Sequence, residues 1–285
     1  MTVLYRPDVA QPPPKKPIRP WRFVVPNAIT SASLLIAIVV VFKAMEGNFE
    51  EAAWLIVLCV LLDKLDGTAA RALRSSSRFG MQLDSLVDFL AFGISPGLTV
   101  FMVIRFDDSG VMEFWRASHA AEWSMRAMVG GYILCSALRL AKFNVITEDA
   151  GEEGSRVFWG MPTTFAGGML ALIILIGLQH EVPMLLGALP PICFAFGWLM
   201  LSNLRIPKVA PRASQPAQIA QALSLAVCYL CGLLRIFPEV LLAITGVYAS
   251  VGIAWGIRHR QEFIPPHKQA SNPPPPPTSG EESGE

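Results

Sequence analysis

The chain has 285 residues, 53% of them hydrophobic and 16% charged, with a mean hydropathy of +0.46 and a net charge of +1. A soluble globular domain carries about a quarter charged residues, so the composition excludes that class and points to a membrane protein. The near-zero net charge gives no basis for binding nucleic acid.

Taken in chain order, the first segment (1–25) is Pro-rich and basic, with Pro12, Pro13, Pro14, Lys15 and Lys16. It is expected to be disordered and lacks the apolar run of a cleaved signal peptide. Apolar stretches near helix length then predict spans over about 26–45, 51–74, 81–105, 122–143, 161–179, 183–203, 216–234 and 238–258. The fold class is therefore all-α, a polytopic membrane helical bundle of about eight transmembrane helices. The basic linker RIPKVAPRASQPAQ divides a six-helix core (26–210) from a C-terminal helix pair (211–260). A second disordered, Pro-rich tail (261–285) follows. Five cysteines, Cys59, Cys135, Cys193, Cys228 and Cys231, lie in apolar stretches and read as packing residues, the CxxC spacing of the last two included.

Two of the spans carry the polar residues that matter. In the second, the apolar run Ala52 to Leu62 covers only about 17 Å of a hydrocarbon core of about 30 Å, so crossing takes Asp63, Lys64 and Asp66 below the membrane surface. The third opens with Asp84 and Asp88 and continues into an apolar run from Phe89 to Ile104. Basic residues concentrate on the side of Arg71, Arg74 and Arg78, which places the acidic cluster on the cytoplasmic side. The segment 106–121 is then a loop on the other side, with Trp115 and Trp123 as interface anchors.

Within DKLDGTAARALRSSSRFGMQLDSLVD (63–88), Asp63 and Asp66 lie about 60° apart on their helix, and Asp84 and Asp88 about 40° apart on theirs. A short turn between the two helices points all four carboxylates into one volume. Like charges at membrane depth are not tolerable without compensation, and an all-oxygen donor set favours hard cations. Two Mg²⁺ or Mn²⁺ ions are expected, as in a two-metal phosphoryl-transfer site. Gly67 clears the helix face beside Asp66, Ala70 keeps that face shallow, and Arg71 offers a planar fork of donors to phosphate. Ser75, Ser76 and Ser77 supply hydroxyls in the turn, and Gly80 permits a tight start to the third span. A bland reading as polar helix caps suits Asp84 but not Asp63 or Asp66, which sit inside a span.

The pattern D-x-x-D-G-x-x-A-R-x8-G-x3-D-x3-D, met here by Asp63, Asp66, Gly67, Ala70, Arg71, Gly80, Asp84 and Asp88, resembles the signature of the CDP-alcohol phosphatidyltransferase family. Within that family the chain is most similar to the integral-membrane phosphatidylserine synthases, through PNAIT (26–30), DSLVDFLAFGISPG (84–97), SALRLAKFNV (136–145), WGMPTTFAGG (159–168) and SNLRIPK (202–208). The Thr-Thr of WGMPTTFAGG departs from the family's usual apolar or Pro-Ala run. A second class of serine synthase, built on paired His-x-Lys-x4-Asp motifs, is excluded because no such spacing occurs.

The resemblance implies transfer of the phosphatidyl group of CDP-diacylglycerol to L-serine with release of CMP. It implies that Asp63, Asp66 and Asp84 hold metal, and that Asp88 both touches metal and acts as base on the acceptor hydroxyl. Gly67, Arg71 and Ser77, with Asn27 and Thr30 on the first span, are the candidates for the cytidine diphosphate. Arg139 and Lys142, three apart on one face of the fourth span, are candidates for the serine carboxylate or lipid phosphate, with Asn144 and Arg205 behind them. A homodimer in the bacterial inner membrane is also implied. Other acceptors (choline, glycerol 3-phosphate, inositol) stay open. A transporter with intramembrane carboxylates is the alternative of another class; it predicts acids near the midplane and an internal repeat.

Overall fold

The computed structural model describes residues 21–73, 77–106, 110–150, 157–202, 205–207 and 215–258. The expected disordered tail, nearly all of the N-terminal segment, and Ser75 and Ser76 lie outside the described residues.

Helices dominate. They are α1 (Trp21–Met45), α2 (Phe49–Leu73), α3 (Arg78–Asp88), α4 (Ser95–Phe106), α5 (Gly110–Arg116) and α6 (His119–Ala150), then α7 (Thr163–Gln179), α8 (Pro183–Gly187), α9 (Leu189–Leu201), α10 (Gln215–Leu234) and α11 (Pro238–Arg258). Six residues of π-helix, Phe89–Ile94, join α3 to α4 without a break. A helical segment stands at each of the eight positions anticipated from hydropathy. Among the described residues, two are long and apolar enough to cross a bilayer, Phe23–Met45 and Arg78–Phe106. The helices Thr163–Gln179, Leu189–Leu201, Ala222–Leu234 and Pro238–Gly252 are apolar but shorter.

α2 runs unbroken through Asp63, Lys64 and Asp66 for 25 residues. Its N-terminal half is almost wholly buried, from Ala52 to Val57. α1 packs on α2, α2 on α7, and α6 on α9. Val40, Ile56, Val100, Tyr132, Leu170 and Leu175 are completely enclosed between them. Small residues set the closest approaches: a Cβ on Gly167 of α7 would come within 2.9 Å of the Phe92 backbone. The C-terminal pair joins the same body, with the Tyr229 hydroxyl donating to the Leu61 carbonyl at 3.0 Å and the Phe165 and Tyr248 rings 6.3 Å apart.

Two three-residue strands, β1 (Val157–Trp159) and β2 (Arg205–Pro207), pair antiparallel with Phe158 opposite Ile206. Gly160 follows at φ 77, where a Cβ would lie 2.1 Å from the Met200 carbonyl oxygen. Only glycine fits there.

The segment 106–121, expected as an external loop, contains α5 instead. Trp115 does not face an interface: it is 9% exposed, and its indole N–H donates to the Gly187 carbonyl at 2.8 Å. A buried indole needs such an acceptor, and the last residue of α8 supplies it. Trp123, the other expected anchor, is exposed, with the Arg126 guanidinium 5.3 Å from its ring centroid.

Candidate active site

The four aspartates meet where the C-terminal half of α2 passes the C-terminal half of α3. Ser77 caps α3, its hydroxyl accepting from the Gly80 amide at 2.9 Å. That cap starts the helix seven residues before Asp84, so Asp84 and Asp88 stand on its flank and not in its first turn. They therefore gain little from the helix dipole, which acts within the first turn. α2 presents Asp63 and Asp66 one turn apart on the opposing face.

Carboxylate oxygens of Asp63, Asp66 and Asp84 all lie within 4.8 Å of one another. Asp88 stands beside them, within hydrogen-bonding reach of Asp63. Asp66 is 6% exposed and accepts from the Thr30 hydroxyl of α1 at 2.8 Å. Asp63 lies within hydrogen-bonding reach of Thr164 at the start of α7 and 3.8 Å from the exposed Lys64 ammonium. Carboxylates this close repel unless a proton or a cation stands between them.

The donor set fits hard divalent ions. Oxygens bound to one such ion at about 2.0–2.6 Å lie no more than about 5 Å apart, and three carboxylates already satisfy that spacing.

The remaining motif residues surround this centre. A Cβ on Gly67 would meet only the Arg71 Nη1, at 3.5 Å, so the face between Asp66 and the guanidinium is open. Arg71 is exposed, with its Nη2 donating to Thr68 at 3.2 Å. Ala70 lies beside it, half-buried. A Cβ on Gly80 would lie 3.2 Å from the Asn27 Oδ1 and 3.1 Å from the Ser77 Oγ, so glycine brings α1 and the α3 cap together. Thr30 thus reaches the cluster from the first helix, while Asn27 lies beside the α3 cap.

Arg139 and Lys142 part company. Arg139 is 7% exposed, interacts electrostatically with Asp88 and Asp63, and donates to the Thr163 hydroxyl at 3.1 Å. Its guanidinium also lies 5.7 Å from the Phe143 ring centroid. Lys142 is exposed. Asn144 accepts from Ser85 at 3.1 Å, tying α6 to the helix that carries Asp84. The Arg205 backbone sits in β2 opposite Trp159.

Sequence reasoning missed Thr163 and Thr164. Their signal was present in WGMPTTFAGG, where hydroxyls replace apolar residues. It also missed the π-helix that begins one residue after Asp88.

Comparisons with known proteins agree with this picture. Residues 23–204 match the model of the CDP-alcohol phosphatidyltransferase family. A CDP-diacylglycerol–serine O-phosphatidyltransferase of Helicobacter pylori (strain ATCC 700392 / 26695) is 31% identical over 195 residues, which is 67% of this chain and 74% of that protein. The enzyme of the same name from Bacillus subtilis (strain 168) is 28% identical over 193 residues, covering 67% of this chain and 94% of its own. The archaetidylserine synthase of Methanothermobacter thermautotrophicus is 29% identical over 172 residues, 59% of this chain and 63% of its own.

Proposed function

The chain belongs to the CDP-alcohol phosphatidyltransferase family, and from that premise we propose that it makes phosphatidylserine, transferring the phosphatidyl group of CDP-diacylglycerol to L-serine with release of CMP. The observation that carries the chemistry is the convergence of Asp63, Asp66 and Asp84 within 4.8 Å, with Asp88 alongside. The choice of serine rests on the names of the relatives, bacterial and archaeal alike.

Asp63, Asp66, Asp84 and Asp88 would hold two divalent cations, Mg²⁺ or Mn²⁺. When bound, such ions neutralise charge on the phosphates and stabilise the leaving nucleotide. The chain's own groups bind, orient and move the proton. Arg71, beside the open face at Gly67, meets a phosphate oxygen of the diphosphate. Asn27, Thr30, Ala70, Ser77 and Gly80 form the floor beneath the nucleotide. Asp88 takes the proton from the serine hydroxyl as its oxygen bonds to phosphorus and the phosphorus–oxygen bond to CMP breaks. A base in this position contributes about 10²–10⁴-fold.

Arg139 is the group for the serine carboxylate. It is buried, cationic and directed at the acidic centre, whereas the exposed Lys142 suits the lipid phosphate. The apolar helices keep the acyl chains in hydrocarbon while the headgroup occupies the polar pocket. The basic bias of one flank supports a pocket at the cytoplasmic face of a bacterial inner membrane, and the family resemblance supports a homodimer.

An acceptor panel tests this reading. Purified protein is given CDP-diacylglycerol with labelled serine, choline, glycerol 3-phosphate or inositol, with and without a chelator. The expected products are phosphatidylserine and CMP, from serine alone and only with metal. Product from another alcohol and none from serine would remove the acceptor assignment; turnover indifferent to chelation would remove the ions.

A further inference from the structure

The π-helix of residues Phe89–Ile94 begins directly after Asp88 and has a chemical cause in the sequence. Pro96 sits four residues beyond Phe92. In a regular α-helix the Phe92 carbonyl would accept from the amide of residue 96, but proline has no N–H, and its ring clashes with that carbonyl. The ladder widens instead: the Ser95 amide donates to the Leu90 carbonyl, five residues back. Widening inserts one residue into the turn. At about 100° per residue, this rotates the face bearing Asp84 and Asp88 relative to the buried face of α4.

A carbonyl left without its helical donor in a dry interior is costly unless another donor is found. Tyr132 of α6 supplies it. Its ring is completely buried, and its hydroxyl donates to the Phe92 carbonyl at 2.5 Å. The same turn is gripped on two further sides. A Cβ on Gly167 would lie 2.9 Å from the Phe92 Cα, and one on Gly93 would lie 2.6 Å from the Ser136 Oγ. Tyr132 is itself held in place, because Gly197 of α9 comes so near that a Cβ there would be 2.9 Å from the Tyr132 Cα.

We propose that Tyr132 is a positioning residue for the acidic centre: by its hydrogen bond to the Phe92 carbonyl, it fixes the widened turn that aims Asp84 and Asp88 at Asp63 and Asp66. This rests on the cation-binding reading above. Tyr132 touches neither the carboxylates nor any substrate position; it acts through the backbone.

The test measures Mn²⁺ binding to the purified full chain in detergent, without substrate, by the electron paramagnetic resonance signal of free Mn²⁺. Tyr132→Phe keeps the ring and deletes the donor. Trp115→Phe is the control, removing another buried bond to a carbonyl, that of Gly187, away from the aspartates. Tyr132→Phe is expected to weaken Mn²⁺ binding about tenfold or more, the scale seen when groups supporting metal ligands are lost. Trp115→Phe is expected to leave it unchanged. Gly167→Ala, pressing on the same turn from α7, should weaken binding as Tyr132→Phe does, and it serves if Tyr132→Phe does not fold.

Wild-type affinity in Tyr132→Phe, or equal weakening in Trp115→Phe, would overturn the proposal, since the effect would then be absent or merely a general loosening; where Tyr132→Phe does not fold, wild-type affinity in Gly167→Ala overturns it. If the wild-type chain itself bound no Mn²⁺ and released no CMP, the cation-binding reading would fall first and take this inference with it.

Discussion

At the scale of single residues, the four aspartates differ in their surroundings, and the differences assign distinct consequences to each. Asp88 lies beside Asp63 and within the field of Arg139, away from the Thr30 hydroxyl that engages Asp66. Asp88→Asn keeps shape and removes the proton acceptor, so CMP release is expected to fall about 10²–10⁴-fold with unchanged thermal stability; near-normal turnover would remove Asp88 as base. Arg139→Gln is expected to act differently. It deletes the buried charge assigned to the serine carboxylate, and a charge-assisted bond of about 1.5–3 kcal/mol corresponds to roughly a 10–100-fold rise in the KM for serine. The KM for CDP-diacylglycerol should move little, and equal rises in both constants would reassign Arg139 to the lipid or to structure. The acids, Gly67 and Arg71 were legible in sequence because their spacing is fixed by helix geometry alone. Thr164, which stands within hydrogen-bonding reach of Asp63, was not, because it comes from α7, about a hundred residues downstream, and only tertiary packing delivers it. Thr164→Val should accordingly weaken metal affinity about 10–100-fold, read by titrating Mn²⁺ against the purified protein, and an unchanged affinity would leave Thr164 without a part in holding Asp63.

At the scale of elements, hydropathy located the helices well and their internal irregularities poorly. Apolar periodicity does not reveal the widening at Phe89–Ile94, since the run from Phe89 to Ile104 is apolar on almost every side and carries no clear helical phase. The cause lay in one proline, and Pro26 shows why proline alone does not announce such a turn: α1 carries it in its interior and remains α-helical. The difference is what satisfies the neighbouring carbonyls, a tertiary matter. Trp115 follows the same logic, because an aromatic residue between two apolar stretches reads as an interface anchor until α5 folds it against α8. The turn between β1 and α7 is constrained more tightly still. Gly160 combines a left-handed φ of 77 with a virtual Cβ only 2.1 Å from the Met200 carbonyl. Gly160→Ala adds about 1–3 kcal/mol of backbone strain and a steric clash. It is expected to lower the thermal midpoint in detergent and, because α7 begins three residues later with the threonines facing Arg139 and Asp63, to lower activity as well. A variant as stable and active as wild type would show that the turn relaxes freely.

At the scale of the whole molecule, polar side chains gather at two opposite ends of an apolar bundle. One end holds the aspartates, Lys64 and Arg71. The other is closed by Gln179 donating to Glu50 at 2.8 Å, by the His180–Glu239 pair, and by Arg235 with Glu51 at 3.3 Å. Because α2 begins near Glu50 and Glu51 and reaches Asp63 and Asp66 in its later turns, the ends are separated by the buried stretch from Ala52 to Leu61. A membrane protein places such ends at opposite surfaces, and by the positive-inside tendency the basic residues flanking the acidic end would put that end at the cytoplasm, as proposed above. Single cysteines at Lys64 and at Glu181, introduced after replacing the five native ones, test this directly. Both side chains are exposed. In intact cells a membrane-impermeant maleimide is expected to label Glu181→Cys at once and Lys64→Cys only after the membrane is opened. The reverse pattern would turn the molecule over and put the pocket on the outer side of the membrane. Equal labelling of both from outside would mean that the buried stretch of α2 does not separate two compartments.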